Sequence, residues 1–236
     1  VPERAFMRAR LSVSTTALVA ALLVACDTVV DPPPRPEPGP VIEALLVAGD
    51  QAPTFRIRRA VLLGKAAEPI PPADVQLSLI EPGGLSVPLV SLSTPDGTYR
   101  ASLPIVAGRQ YQLAGTVAGR AISAQTTLPT SFAVLAPNGP VLGTEPVDYL
   151  WRSVGAVAYL VDSAFFSSTL RTHASDTSGT ITILHPQSRR PELTIYAVNS
   201  DAARYLFDVA SAQSNILGGF GVLGGAIAAR RALIWP

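Results

Sequence analysis

Cysteine is almost absent from this chain of 236 residues: Cys26 stands alone. No disulfide framework can form within the chain, and a zinc cluster of cysteines is excluded. Histidine is nearly as scarce, with His173 and His185 only and Asp176 between them. A metal site ordinarily needs three or four ligands with supporting partners. Both histidines sit in polar, turn-like stretches, so no metal site is read. Charge is sparse too, at 15% of residues with a net of +1. Without a basic excess there is no electrostatic footprint for nucleic acid. A G-x-S-x-G nucleophile elbow is missing. Glu43, Glu68, Glu81, Glu145 and Glu192 are scattered and show no paired-carboxylate pattern. No enzyme and no cofactor are expected from these residues.

Proline and glycine, at 22 and 18 residues, are plentiful. Together with the lack of charged helix-forming runs they point to a β-rich body with many turns. From Val41 to Ala48 the chain is continuously apolar apart from Glu43. Thr54 to Arg58 alternates, with Phe55 and Ile57 on one face and arginines on the other. Val75, Leu77 and Leu79 alternate with polar residues, and Pro88 in the next run suggests an edge strand. Asp96-Gly97, Gly108 and Gly119 mark turns before further alternating runs ending at Pro129. Short strands with a turn every ten residues or so predict an immunoglobulin- or transthyretin-like β-sandwich over 41–130. A second β-rich region is expected over 131–236, with strands at 149–152, 156–161, 180–184 and 192–198. It has one helix, near 201–210, with Ser200 as N-cap and Ala202, Tyr205, Leu206 and Val209 on one face.

Two motifs invite a functional reading. Gly219 to Gly224 fits G-x-G-x-x-G. A dinucleotide site also needs a following helix and an acidic residue some 20 positions on, and no acidic residue follows. The Gly-rich stretch Leu217 to Ile227 is expected to supply a closing strand with close backbone contacts. The same region's uncharged run, 209–229, contains Gln213, Ser214 and Asn215, which argues against a membrane helix. Arg56, Arg58 and Arg59 form a basic stripe on the outward side of a strand, a candidate site for an anionic ligand or lipid headgroup.

The first residues carry the clearest signal. Arg4, Arg8 and Arg10 precede an apolar stretch densest from Ala17 to Ala25. That stretch is shorter than the roughly 20 apolar residues a spanning helix needs, and reads as a secretory signal. It ends Leu23-Val24-Ala25-Cys26, which resembles the lipobox of bacterial lipoproteins. The resemblance implies cleavage before Cys26 and acylation of its thiol, so 1–25 is expected to be a signal peptide. The segment 26–40 is then the lipidated cysteine and a linker, with Asp31 to Pro40 reading DPPPRPEPGP. Such a segment favours extended polyproline conformation, with a reach of about 3 Å per residue.

Beyond the lipobox, the order of motifs resembles a family of exported lipoproteins of Bacteroidota and relatives, catalogued as domain of unknown function 4249. The matching positions are Gly97 and Tyr99, then Gly108, Tyr111 and Leu113. Gly119, Ala124, Thr126 and Pro129 follow, and finally Ser214 to Gly224 in SNILGGFGVLG. The region 131–190 is short for that family. The resemblance implies an accessory binding lipoprotein at the outer membrane, held by its N-terminal lipid. Its partner would be a TonB-dependent outer-membrane receptor that takes up a nutrient or metal chelate. The alternative is a structural or adhesive envelope lipoprotein with no small-molecule ligand.

Overall fold

A strand that is apolar on both faces must be covered on both, and β1 (Pro40–Val47) is placed accordingly. The computed structural model describes residues 39–60, 68–81, 83–92, 96–142, 147–162, 170–173, 178–181, 192–207 and 213–234. After β1 come β2 (Thr54–Arg59), β3 (Glu68–Pro69), β4 (Val75–Ile80), β5 (Ser86–Pro88), β6 (Val90–Ser91), β7 (Thr98–Arg100), β8 (Gln110–Val117) and β9 (Arg120–Thr127). The second half holds β10 (Ser131–Ala136), β11 (Val141–Leu142), β12 (Val147–Val154), β13 (Ala158–Asp162), β14 (Leu170–His173), β15 (Ser178–Ile181) and β16 (Glu192–Val198). Helix α1 (Ser200–Phe207) and the long strand β17 (Phe220–Ile234) close the chain. The fold is mainly β, a sandwich followed by a second β-rich region with one short helix.

One large sheet runs β14-β13-β16-β17-β1-β2-β7-β6, with β3 on β2 and β11 on β17. Two smaller sheets, β5-β4-β8-β9 and β10-β12-β15, pack against it. The first core joins Ile42 and Leu46 of β1, Phe55 and Ile57 of β2, Leu77 and Leu79 of β4, and Tyr111 and Leu113 of β8. The second joins Trp151 of β12, Val134 of β10, Tyr159 of β13, and Leu193 and Ile195 of β16. Strand β17 serves both: Leu223 lies in the first core and Ala229 packs on the second. Side chains alternate along a strand, so both residues point the same way and the two cores share one face of the large sheet.

The last strand therefore crosses the division at residue 130 drawn from the sequence. It pairs in parallel with β1, Val41 opposite Phe220 through Val47 opposite Ala226, then antiparallel with β16. Residues from Pro38 onward form one compact unit.

The opposite face of the large sheet carries α1. Leu45 and Val47 of β1, Ala226 of β17 and Val198 of β16 pack there with Ala202 and Leu206 of the helix. A side chain at Gly224 would start 2.6 Å from the Cβ of Ala202, so the helix rests directly on the bare backbone of β17. Gly224→Ala is expected to cost about 1–3 kcal/mol by overpacking. Adding Ala202→Gly should recover part of that, less about 1 kcal/mol of helix propensity. Urea denaturation of the wild type and the three variants of the cycle measures both.

The N-cap is Asn199, not Ser200. The Asn199 Oδ1 accepts the Ala202 N–H at 3.1 Å. Both residue types cap well, but Asn199 is buried at the end of β16, where its amide also reaches other strands.

The SNILGGFGVLG segment is explained by closure of the sheet. Asn215 behaves like a strand neighbour of Leu223: its Oδ1 accepts the Leu223 N–H and its Nδ2 donates to the Leu223 carbonyl, both at 2.9 Å. Ile216 fills the first core. Gly221, at φ +108°, lies where a Cβ would strike the Ile42 carbonyl at 1.9 Å. The segment from Phe220 on is strand, not the helix that a dinucleotide site or a membrane span would need.

Candidate functional site

Alternation along β1 sends Val41, Glu43, Leu45 and Val47 to the helix-covered face. Glu43 is the one charge in that apolar run, and both its carboxylate oxygens are held. Arg58 Nη2 donates to Oε2 at 2.8 Å, and the Tyr205 hydroxyl donates to Oε1 at 3.0 Å. Arg58 comes from β2, next to β1 in the sheet. Tyr205 lies three residues beyond Ala202 on α1, a spacing that puts both on one helix face. The Glu43 and Arg58 side chains are half-buried, at 33% and 28% exposure.

This network borders a cleft of about 330 Å³ between α1 and the sheet. Leu45, Leu206 and Val222 give it an apolar wall, while Thr54, Arg56 and Thr98 give it a polar rim. Glu43, Arg56 and Thr98 stand in one row across β1, β2 and β7. Arg56 faces Asp96 at 3.8 Å, and its side chain is 52% exposed. Asp96 is further engaged by the Thr98 hydroxyl at 2.7 Å. The rim can thus offer a cationic group and hydroxyls beside an apolar wall, a combination suited to a small amphipathic ligand.

Burial pushes the Tyr205 hydroxyl up to about 12, helped by the negative charge of Glu43 and the hydrogen bond to it, while Arg58 pulls the other way. Glu43→Gln removes the charge, so the Tyr205 ionisation should move down from about 12. Ultraviolet difference titration of each protein against its Tyr205→Phe counterpart measures this; an unmoved midpoint would contradict the network. The folded state holds this proton more tightly than the unfolded chain. Its contribution to stability is therefore full below pH 10 and is lost as pH rises through about 12. Tyr205→Phe should flatten the decline in that window.

The basic stripe expected from the sequence divides. Arg56 and Arg58 share the face of the cleft, and only Arg56 lines it with its charge loosely paired. Arg58 is committed to Glu43. Arg59 is the next residue along a regular strand and so points to the other face, at the end of β2 opposite Pro40. The three do not form one anion site. Glu43 and Tyr205 were not singled out from the sequence, although a lone glutamate in an apolar run was the available signal. A second, open depression of about 860 Å³ lies past the end of β1, with Asp50, Arg100 and Arg230 around it.

Cys26, Asp176 and His185 lie outside the described residues, and His173 ends β14. Among the described residues no cluster of three or more His, Cys, Asp or Glu side chains could hold a metal ion, and no helix is long and apolar enough to cross a membrane.

No family model matches the chain, and no curated protein matches it. Among solved structures it is similar to three N-terminal domains of the bacteriophage RB49 highly immunogenic outer capsid protein, at 9% identity and a TM-score of 0.26. That match covers 83% of this chain and 59% of the other. It is also similar to a BSP domain of a biofilm-associated protein, at 14% identity and TM-score 0.26, covering 83% and 29%. A third is a Salmonella alpha-2-macroglobulin variant, at 12% identity and TM-score 0.25, covering 85% and 15%. The chain spans less than two thirds of the length of each.

Proposed function

We propose that this chain is an exported lipoprotein, acylated on Cys26 and held at the outer membrane, whose β-body binds a small amphipathic ligand in the cleft between α1 and β1–β2. The observation that carries the binding role is the Arg58–Glu43–Tyr205 network. It fixes three elements around a partly apolar cleft and leaves Arg56 and two threonines facing outward. Polar groups held in place beside an apolar wall bind with little ordering cost. The motif resemblance supplies the partner: a TonB-dependent outer-membrane receptor to which the ligand is passed.

Two measurements test this reading. Affinity-tagged protein, purified from native membranes in mild detergent, should bring down a TonB-dependent receptor. Mass spectrometry of small molecules released from that sample should find a species that is lost with Leu206→Trp, which fills the cleft. Neither a receptor nor a cleft-dependent species would reject the binding role and leave a purely structural envelope lipoprotein.

A further inference from the structure

We propose that the end of the sandwich where the segment 26–38 joins it rests on the lipid surface, with Leu217 and Phe220 inserted at the headgroup–acyl boundary. The inference rests on the reading of Cys26 as the lipid anchor and adds an orientation to it.

Strands β1 and β17 are parallel, so both begin at the same end of the body, with Val41 opposite Phe220. Gly39 immediately precedes β1, and a side chain there would start 3.5 Å from the Phe220 ring and 3.6 Å from the Arg120 guanidinium. Leu217 bridges to Ser123, the fourth residue of β9, and the turn at Gly218 and Gly219 leads from there to Phe220 at this end. Both apolar side chains are open to solvent, Leu217 at 71% and Phe220 at 55%. Leu217 is the most exposed large hydrophobic among the described residues. Arg59, at the end of β2 opposite Pro40, has no ion-pair partner among the described residues, although Glu68 stands across from it on β3. Two exposed apolar side chains flanked by arginines match the interfacial zone of a bilayer with anionic headgroups.

The tether makes such a weak surface effective. Two side chains alone give marginal membrane binding, but a covalently held body meets the surface at high effective concentration. The proline-rich segment sets the upper limit of reach, not the working distance. In this orientation Glu43 lies about 10 Å up β1 from the lipid, at ~3.3 Å per residue. The β1–β2 turn points away from the membrane, and the cleft opens on the flank.

The test uses the mature chain carrying Cys26→Ser, so that no acyl group contributes, and co-sedimentation with vesicles of phosphatidylcholine and phosphatidylglycerol. At high lipid concentration the untethered chain is expected to show weak, saturable binding that falls further as the anionic lipid is removed. Leu217→Ser with Phe220→Ser should lower the partition coefficient by about tenfold. Leu85→Ser should leave it unchanged, because this leucine, also open to solvent, follows Ile80, at the opposite end of β4 from Val75 and Val117. Absence of binding, or equal loss in the two variants, overturns the proposal. The mass of the N-terminal peptide of the wild-type protein reports acylation separately, so failure of the anchor and failure of this orientation are told apart.

Discussion

Trp151→Ala is expected to lower the stability of the whole body by about 3–5 kcal/mol, the range for removing a buried tryptophan. Trp151 is 1% exposed at the centre of the second core. Its ring centroid lies 4.9 Å from that of Tyr159, which in turn lies 5.8 Å from Phe132. The Tyr159 hydroxyl is hydrogen-bonded to Ser153 at 2.6 Å, so the ring cannot easily swing into the void. The shared strand makes the effect global. β17 contributes Leu223 to the first core and Ala229 to the second, and its backbone pairs with β1 and β16 in turn. Loosening the second core should therefore withdraw support from the first. Guanidinium denaturation followed by far-ultraviolet circular dichroism should show one transition with a lowered midpoint. Two transitions, only one of them shifted, would show that the cores unfold independently.

Asn199→Ala is expected to cost about 3 kcal/mol, because a single buried side chain serves several elements. Its Nδ2 donates to the Thr126 hydroxyl at 2.7 Å and the Thr127 carbonyl at 2.9 Å, both on β9. Its Oδ1 accepts from Ala202 in α1 and from Gly225 in β17, each at 3.1 Å. Truncation leaves the two N–H groups and the Thr127 carbonyl without this partner in a region closed to water. Asn199→Asp should not rescue. It keeps Oδ1 but turns the donor into a second acceptor, facing the Thr127 carbonyl and the Asp201 carboxylate. Chemical denaturation gives the cost, and amide exchange at Ala202 and Gly225 should rise in both variants before global unfolding.

Much of this was written locally. The alternation of Phe55 and Ile57 with arginines, and of Leu193, Ile195 and Ala197 with their neighbours, announces half-buried strands because the period of 2 is a property of the chain itself. The glycines of 217–227 likewise announced close backbone contact. What no window of sequence could show is partner choice. The pairing of Phe220–Ala226 with Val41–Val47 joins the two ends of the body and leaves no local trace. The N-cap went to Asn199 over Ser200 because tertiary hydrogen bonds decided between two capable residues. The arginine stripe failed for a similar reason: composition placed three cations together, whereas alternation and the Glu43 carboxylate separate them. Glu43 shows the converse, a residue passed over as one of several scattered carboxylates that gains meaning only when Tyr205 arrives from α1.

Export and anchoring of the β-body both rest on the fate of Cys26. The most direct measurement is the mass of the N-terminal peptide of the protein isolated from the membranes of the cells that produce it. The account predicts a peptide that begins at Cys26 and carries a diacylglyceryl group on the thiol. A peptide retaining residues before Cys26, or one beginning at Cys26 with a free thiol, would contradict it.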